Sequence, residues 1–177
     1  MNNIFIRPLK VEDTNLVVRW RNSQLVRDSL FSQDIITCQS HMNYFKEQIE
    51  THRSYQFIIE QIIESINPGG CSVPVGTIFL KNIDYNSLKC EMGIFIGEEF
   101  DRGKGIGKEA VRLILEFGFK KLNMNKIYLR VLENNDIAIN LYKHIGFHVD
   151  GILREDYFRD NKYYDVWVMS IIKKELF

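Results

Sequence analysis

A glycine-rich segment in the second half of the chain has the composition of an anion-binding turn. Residues 102–108 read Arg-Gly-Lys-Gly-Ile-Gly-Lys and lie between a strand-like apolar stretch and a helical pattern. Glycine at every second position lets backbone N–H groups come close to a ligand, because no Cβ atom obstructs them. The helix that follows adds the unpaired N–H groups and the positive dipole end of its first turn. The segment therefore predicts a phosphate or pyrophosphate site, although its spacing fits neither the P-loop nor the dinucleotide-binding motif.

Residues 135–147 form a second segment with chemical meaning. They read Asn-Asp-Ile-Ala-Ile-Asn-Leu-Tyr-Lys-His-Ile-Gly-Phe, in which apolar residues four apart predict a short helix that Gly146 ends. Together the two segments resemble the hallmarks of the GCN5-related N-acetyltransferase (GNAT) superfamily, [QR]xxGx[GA] and NxxAxxLYxxxGF. The order and separation of the hallmarks also match, so the resemblance covers nearly the whole chain.

The resemblance implies that acetyl-CoA is the acetyl donor and that it binds between two parallel strands that splay apart. The glycine turn would bind the CoA pyrophosphate, the main chain of the preceding strand would pair with the pantetheine arm, and Asn135 would bind pantetheine or orient the helix after it. The residues expected to contact acetyl-CoA are Ile94, Phe95, Ile96, Arg102, Gly103, Lys104, Gly105, Ile106, Gly107, Lys108, Asn135, Ala138 and Tyr142. No metal site is expected, because the histidines and cysteines lack ligand spacing.

Acetyl transfer to an amine needs a base for the amine proton, a group that stabilises the thioester oxygen, and an acid for the departing thiolate. The resemblance implies that Tyr142 is this acid, and a phenol with a reference pKa near ~10 is protonated at neutral pH. Two residues compete for the role of base. Glu91 opens the strand that would face the substrate, at a position where many relatives carry a carboxylate, whereas His41 has the side chain whose ordinary pKa lies closest to neutrality. The predicted catalytic residues are thus Tyr142, Glu91 and His41.

The N-terminal helices and the C-terminal strands are expected to select the acceptor amine. Their residues resemble the branch of the superfamily that acts in pseudaminic acid biosynthesis. This resemblance implies acetylation of the 4-amino group of a UDP-linked 4-amino-4,6-dideoxy sugar. Arginine pairs phosphate bidentately and flat rings stack on a base or cover a sugar. The expected substrate-binding residues are Arg21, Arg27, His41, Arg154 and Tyr157.

Other acceptors stay open on the sequence. Ribosomal-protein N-terminal acetyltransferases and spermidine acetyltransferases share the opening Ile6-Arg7-Pro8-Leu9. A polyamine site should be acidic, whereas the first helical region carries Arg19, Arg21 and Arg27. A protein N-terminus would need an open groove. A non-catalytic acyl-CoA-binding module is the alternative from another class, and the presence of the catalytic residues named above argues against it.

These residues need a frame of strands and helices to position them. Apolar periodicity predicts the order β, α, α, β, β, β, α, β, α, β, β. Helices are predicted from residue 13 or 14 to about 20 and over 37–51, 105–121 and 136–145, and strands near 5–9 and over 55–63, 75–84, 89–96, 126–132, 148–158 and 163–173. A loop rich in turn residues, 64–74, joins two strands. The expected fold is an α/β (α+β sandwich) GNAT fold in one domain, residues 1–177, with a mixed, mostly antiparallel seven-stranded sheet and about four helices.

Composition bounds the remaining possibilities. The 177 residues include 23 Lys plus Arg and 23 Asp plus Glu, and 45% are hydrophobic. Zero net charge disfavours nucleic-acid binding, and the hydrophobic content argues against disorder. Residues 1–10 do not read as a signal peptide, no apolar run is long enough for a membrane span, and Cys38, Cys71 and Cys90 form no CxxC pair. We expect a cytoplasmic protein without nucleic-acid or membrane partners, whose N-terminal edge strand leaves room for a homodimer.

Overall fold

The computed structural model describes residues 4–63 and 70–176, which form seven strands and six α-helices. The strands are β1 (Ile4–Pro8), β2 (Tyr55–Ile63), β3 (Cys71–Asp84), β4 (Lys89–Ile96), β5 (Lys126–Leu132), β6 (His148–Arg159) and β7 (Lys162–Ile172). The helices are α1 (Thr14–Asn22), α2 (Gln24–Arg27), α3 (Cys38–Tyr44), α4 (Ile106–Glu116), α5 (Asp136–Ile145) and α6 (Lys173–Leu176). Short π-helical segments, Phe45–Ile49 and Phe117–Lys121, continue α3 and α4. Within the described ranges, no helix is long and apolar enough to cross a membrane.

One seven-stranded sheet runs in the order β1-β2-β3-β4-β5-β7-β6. The strands pair antiparallel at β1/β2, β2/β3, β5/β7 and β6/β7, whereas β4 and β5 pair parallel. The parallel register joins residues 89–91 to residues 126–128, although β4 continues to Ile96 and β5 to Leu132. The parallel pairing is thus confined to the first three residues of each strand, as expected of strands that splay apart further along. The predicted mixed, mostly antiparallel sheet with parallel central strands is therefore confirmed.

The described residues contain two more helices than expected. Both α2 and α6 are single turns of four residues, which is too short to show the three-to-four periodicity that predicts a helix. The second of them begins at Lys173, where the sequence predicts the end of the last strand. The other four helices follow the predicted order of elements.

The described residues form two compact units. The first contains the residues up to Asn82 together with Gly93–Ile114. The second contains Ile83–Met92 together with the residues from Leu115 onward. Strands β3 and β4 and helix α4 each contribute residues to both units. The single domain expected over residues 1–177 stays a prediction.

A buried apolar cluster in the first unit positions the N-terminal helices. Val17 and Trp20 lie one turn apart on α1 and are both buried, as the spacing of an amphipathic helix requires. Trp20 meets Phe95 edge to face, with ring centroids 6.4 Å apart. The indole Nε1 of Trp20 also donates to Glu98 Oε1 at 2.9 Å, which satisfies its buried polar atom. These contacts hold α1 against the end of β4.

In the second unit, α5 is defined at both ends by its flanking residues. Asn135 Oδ1 accepts a hydrogen bond from Ala138 N at 3.2 Å and caps the first turn. Gly146 has a φ of +114° and ends the helix, because glycine adopts this conformation without a Cβ clash. Ile139 and Tyr142 lie one turn apart and are buried. The caps and the helical period thus place Tyr142 on the inner face of α5.

The loop predicted over residues 64–74 is wrong at its C-terminal end. Residues 71–74 belong to β3 and pair with residues 60–63 of β2. Pro74 lies beside a register shift between Ile59 and Glu60, where an irregular ladder tolerates a residue without an N–H donor. In the sequence, Pro74 favoured a turn; in the structure, it lies in β3 at this irregularity of the ladder. The remainder of the predicted loop, residues 64–69, lies outside the described residues.

Candidate active site

The glycine turn has an open face at the start of α4. Gly103 and Gly105 have φ values of +75° and +79°, and a Cβ atom added at either residue would meet nothing within 4 Å. Gly105 O accepts a hydrogen bond from Glu109 N at 3.2 Å, so the hydrogen bonding of α4 begins at Gly105. The N–H groups of residues 106–108 then have no intrahelical carbonyl to bond. The arrangement supplies the donors that a pyrophosphate requires.

Two cationic side chains of the turn contact neighbouring groups. Arg102 Nη2 donates to Leu25 O at 3.1 Å and lies 3.5 Å from Ile96 O. Lys104 Nζ lies 3.3 Å from Asp101 Oδ1, and the lysine side chain is half exposed. Arg102 therefore anchors the turn to the segments around α2 and β4, and Lys104 is the more accessible cation.

The end of β4 is closely packed within the first unit. A Cβ atom at Gly97 would collide with the ring of Trp20, and one at Gly93 would collide with the ring of Phe79. Both glycines therefore allow the close approach of an aromatic side chain. Phe95, between them, is buried. Contact of residues 94–96 with acetyl-CoA stays a prediction about their main chain.

Tyr142, in the second unit, has the environment of a proton donor. Its side chain is 7% exposed, and its ring centroid lies 5.6 Å from that of Phe147. Burial raises the pKa of its phenol to about 12, because the loss of water disfavours the charged phenolate. The phenol is therefore protonated throughout the neutral range, as an acid toward a departing thiolate must be.

Glu91 lies in the same unit as Tyr142, near the start of β4. It is 6% exposed, and Arg130 Nε lies 3.6 Å from its Oε1. The guanidinium compensates the charge that a buried carboxylate carries. Glu91 is therefore a buried, paired carboxylate, not a solvated charge at a strand end.

A cavity of about 340 Å³ lies in the first unit between α1, α3 and strands β2 to β4. The described residues that line it are Val17, Arg21, Ile36, Ser40, His41, Tyr44, Gln56, Phe79, Lys81 and Phe95. This volume falls in the range of small-molecule sites. Two of the predicted substrate-binding residues, Arg21 on α1 and His41 on α3, are thus brought together.

Arg21 and His41 each place at the cavity a buried polar atom that has no partner among the described residues. His41 is 5% exposed, and its Nδ1 lies 3.1 Å from Thr14 Oγ1. Within residues 4–63 and 70–176, neither His41 Nε2 nor the buried Arg21 Nη1 has a hydrogen-bond partner. Burial lowers the pKa of His41, although the charge of Asp13 opposes this effect. Because buried polar atoms are nearly always hydrogen-bonded, these two atoms point to a polar ligand.

The cavity residues that were not predicted as site residues include Gln56, Phe79 and Lys81. Gln56 Nε2 donates to Thr77 Oγ1 at 2.9 Å. Phe79 and Lys81 lie two positions apart on β3 and hence on one face of the strand, with Lys81 Nζ 5.7 Å from the Phe79 ring centroid. A lysine in phase with an aromatic residue inside an apolar strand was the signal that could have revealed this side of the cavity.

The other predicted substrate-binding residues lie elsewhere. Arg27 Nε donates to Gln33 O at 3.1 Å and so contacts the segment after α2. Arg154 is exposed on β6, and Tyr157, on the same strand, is half-buried with its ring centroid 6.5 Å from that of Tyr164. None of the three is among the residues that line the cavity. Their contact with an acceptor stays a prediction.

Comparison with known proteins decides the family. The family described as Acetyltransferase (GNAT) domain matches residues 3–148. The chain belongs to the GNAT acetyltransferase family. It is similar to the spermidine N(1)-acetyltransferase of Escherichia coli (strain K12), with 26% identity over 174 residues that cover 98% of this chain and 88% of the relative. It is also similar to the putative ribosomal N-acetyltransferase YdaF of Bacillus subtilis (strain 168), with 30% identity over 100 residues that cover 56% of this chain and 54% of the relative.

A solved structure extends the likeness to the fold. The crystal structure of spermidine N-acetyltransferase from Vibrio cholerae in complex with CoA and spermine matches this GNAT acetyltransferase with a TM-score of 0.87 and 24% identity, covering 98% of this chain and 97% of that chain. The relatives named here are named for spermidine and for a ribosomal substrate, so they support the predicted N-acetyltransferase without supporting the branch of pseudaminic acid biosynthesis. The hallmarks are shared across the superfamily, so the branch had to be inferred from the less distinctive residues around the acceptor.

Membership of the family identifies the donor of this acetyltransferase. GNAT acetyltransferases use acetyl-CoA as the acetyl donor, as predicted. The glycine turn fits acetyl-CoA, because its open face and the first N–H groups of α4 can bind the pyrophosphate of CoA. Residues 4–63 and 70–176 contain no group of His, Cys, Asp or Glu that could hold a metal ion.

Replacing Gly105 with alanine is expected to weaken CoA binding by about 10-fold. Alanine at a φ of +79° is strained, by roughly 1–2 kcal/mol, so the turn relaxes and its N–H groups lose their alignment with the pyrophosphate. Isothermal titration of the folded variant with CoA measures the effect. Gly105→Asn is the control, because asparagine tolerates this conformation better and should bind CoA more tightly than the alanine variant. Equal affinity of Gly105→Ala and the wild type would contradict the role of the turn.

Proposed function

We propose that this acetyltransferase transfers the acetyl group of acetyl-CoA to a primary amine of a small molecule bound in the cavity of the first unit. The observation that carries the proposal is the cavity of about 340 Å³ lined by Arg21, His41 and Phe95. Phe95 belongs to the segment that the resemblance assigns to the pantetheine arm, so the cavity borders the strand along which the donor is expected to lie. The size of the cavity supports a small-molecule acceptor.

The proposed reaction is direct attack of the amine on the thioester. A base takes a proton from the ammonium form of the acceptor, and the freed nitrogen lone pair forms a C–N bond to the carbonyl carbon. The tetrahedral intermediate gives a second nitrogen proton to water, and its collapse breaks the C–S bond. The leaving thiolate takes the phenolic proton of Tyr142, the protonated water restores that proton to the phenolate, and the base releases the first proton to solvent. The products are the N-acetylated amine and CoA.

Two side chains compete for the role of base in this mechanism. His41 is neutral near pH 7 because burial lowers its pKa, and its Nε2 accepts a proton when the ring hydrogen lies on Nδ1 toward Thr14. Glu91 is a buried carboxylate beside Arg130, at a position where the resemblance implies a carboxylate in many relatives.

Two classes of acceptor are supported by different observations. Spermidine is the first to test, because a relative that matches 98% of this chain is named for it. A nucleotide-linked 4-amino sugar is the second, supported by the charge of the cavity. Arg21 and Lys81 line the cavity, and none of its described lining residues carries a carboxylate. This lining would repel a polyamine and attract the phosphates of a nucleotide.

The test is a thiol-release assay with acetyl-CoA and three sets of acceptors. The sets are spermidine with spermine, UDP-linked 4-amino sugars, and short peptides with ribosomal-protein N-termini. We expect release above the rate without acceptor for at least one small-molecule set, with mass spectrometry showing one acetyl group on nitrogen. Turnover of the peptides alone would refute the small-molecule acceptor, and no turnover in any set at saturating acetyl-CoA would refute the proposed reaction.

A further inference from the structure

The cavity of the first unit is lined by a half-buried cation, Arg21, whose charge the described protein groups compensate only in part. Its Nη1 atom is buried and has no hydrogen-bond partner among the described residues. Burial lowers the pKa of Arg21, and the opposing charge of Asp34 offsets this effect only in part. A guanidinium carries donors and no acceptor, and a buried charge is costly unless it is paired. The partner that Arg21 requires is therefore a hydrogen-bond acceptor with negative charge.

His41 supplies a second donor to the same cavity. Its Nδ1 lies 3.1 Å from Thr14 Oγ1, and a hydroxyl can donate a hydrogen bond as well as accept one. When Thr14 donates to Nδ1, the ring hydrogen lies on Nε2, the atom that has no partner among the described residues. Arg21 and His41 then both present N–H groups, and Lys81 adds positive charge from β3.

From these donors we propose that the cavity binds an oxyanion of the acceptor, a carboxylate or a phosphate, between the Arg21 guanidinium and the His41 imidazole. The inference rests on the proposed function, because the oxyanion belongs to the molecule whose amine is acetylated. An oxyanion accepts hydrogen bonds from both side chains, and a charged acceptor makes these bonds strong. His41 is then an anion-binding residue and not the base. Spermidine, which carries no oxyanion, is a poor acceptor.

The test measures anion binding to the full chain saturated with CoA, so that the glycine turn is not available to the anion. Sodium phosphate and sodium acetate are titrated separately, with sodium chloride at the same ionic strength as the reference. The readouts are the melting temperature and the calorimetric Kd. We expect phosphate, acetate or both to bind the wild type beyond the effect of chloride. Binding to Arg21→Met should be weaker by about 10-fold or more, because a charge-assisted hydrogen bond is lost.

A matched control lies on the same helix. Arg19→Met removes the same charge from an exposed position, where the guanidinium lies 2.5 Å from Glu98 Oε1, and should leave anion binding unchanged. If Arg21→Met does not fold, a second pair of variants at His41 tests whether the anion binds in the cavity. His41→Gln keeps an N–H donor and should retain more of the anion affinity than His41→Leu, which keeps none.

A comparison of acceptor amines shows whether the bound oxyanion is a phosphate or a carboxylate. Amines that carry a phosphate ester and amines that carry a carboxylate are assayed beside spermidine, and the faster set identifies the group. Equal anion binding by the wild type, Arg21→Met and His41→Leu, or no binding beyond that of chloride, overturns the inference. Acetylation of spermidine without anion binding overturns the oxyanion site and leaves the proposed N-acetyltransferase intact. Anion binding that depends on Arg21, with no amine acetylated, overturns the proposed function and leaves the oxyanion site standing.

Discussion

Replacing Tyr142 with phenylalanine is expected to lower kcat by about 100-fold or more, with the affinity for acetyl-CoA nearly unchanged. The substitution removes only the phenolic oxygen, so the ring keeps its packing against Phe147, 5.6 Å away between centroids. Burial raises the pKa of the phenol to about 12, so the phenol holds its proton at any neutral assay pH. Without it, the thiolate must leave unprotonated or draw its proton from water, and the barrier to C–S cleavage rises. Single-turnover kinetics with acetyl-CoA measure the step directly.

Tyr163→Phe is the matched control for this prediction. Tyr163 is 57% exposed, and its ring is tilted against that of Phe158 with ring centroids 4.7 Å apart. The same loss of one hydroxyl at this position should leave kcat unchanged. If Tyr142→Phe transferred the acetyl group as fast as the wild type in a single turnover, Tyr142 would not be the acid, and its burial would have only a packing role.

Replacing Gly76 with alanine is expected to lower the melting temperature by on the order of 5 °C. A Cβ atom at Gly76 would collide with the carbonyl oxygen of Phe95 and lie 3.1 Å from the Cα atom of Ile96. Both are backbone atoms, so a side-chain rotation cannot relieve the collision, and β3 must move from this part of β4. The displacement also shifts Phe95, which lines the cavity, so we expect a higher KM for the acceptor. Thermal unfolding and steady-state kinetics measure the two effects.

Gly151→Ala provides the control for strand glycines. Gly151 lies on β6, and a Cβ atom there would meet nothing within 4 Å. Alanine at this position should change the melting temperature by less than about 1 °C, since the added atom meets no neighbour. Similar melting temperatures for Gly76→Ala and the wild type would mean that β3 and β4 adapt to the extra atom without loss.

The parts of the fold that could be predicted are those whose signals are local. The cap at Asn135, the C-terminal glycine Gly146 and the period of buried residues all lie within or beside α5. Gly103 and Gly105 likewise encode their positive φ values in their own residue type. Local patterns fail where the element is a single turn, as in α2, because four residues do not complete a period.

The cavity could not be predicted, because its residues come from elements far apart in the chain. Arg21 and Arg27 are alike in the sequence, yet Arg21 lines the cavity and Arg27 donates to Gln33 O. The difference follows from the end of α1 and the start of α2, which change the direction in which successive arginines point. Lys81 was missed for the same reason, since only the packing of β3 beside α1 and α3 makes it a cavity residue.

The sequence by itself determined the class of chemistry, because the glycine turn predicted to bind CoA and the helix that carries Tyr142, the predicted acid, are each built from contiguous residues. The backbone conformation at Gly105 and the position of Tyr142 on its helix depend on residues that are adjacent in the sequence. Both features can therefore be predicted from the motifs themselves. Only the tertiary structure decided the character of the cavity. There, Arg21 Nη1 and His41 Nε2 are buried without partners among the described residues. This burial arises from the packing of separate elements, and it is the reason why we propose an anion between these two side chains.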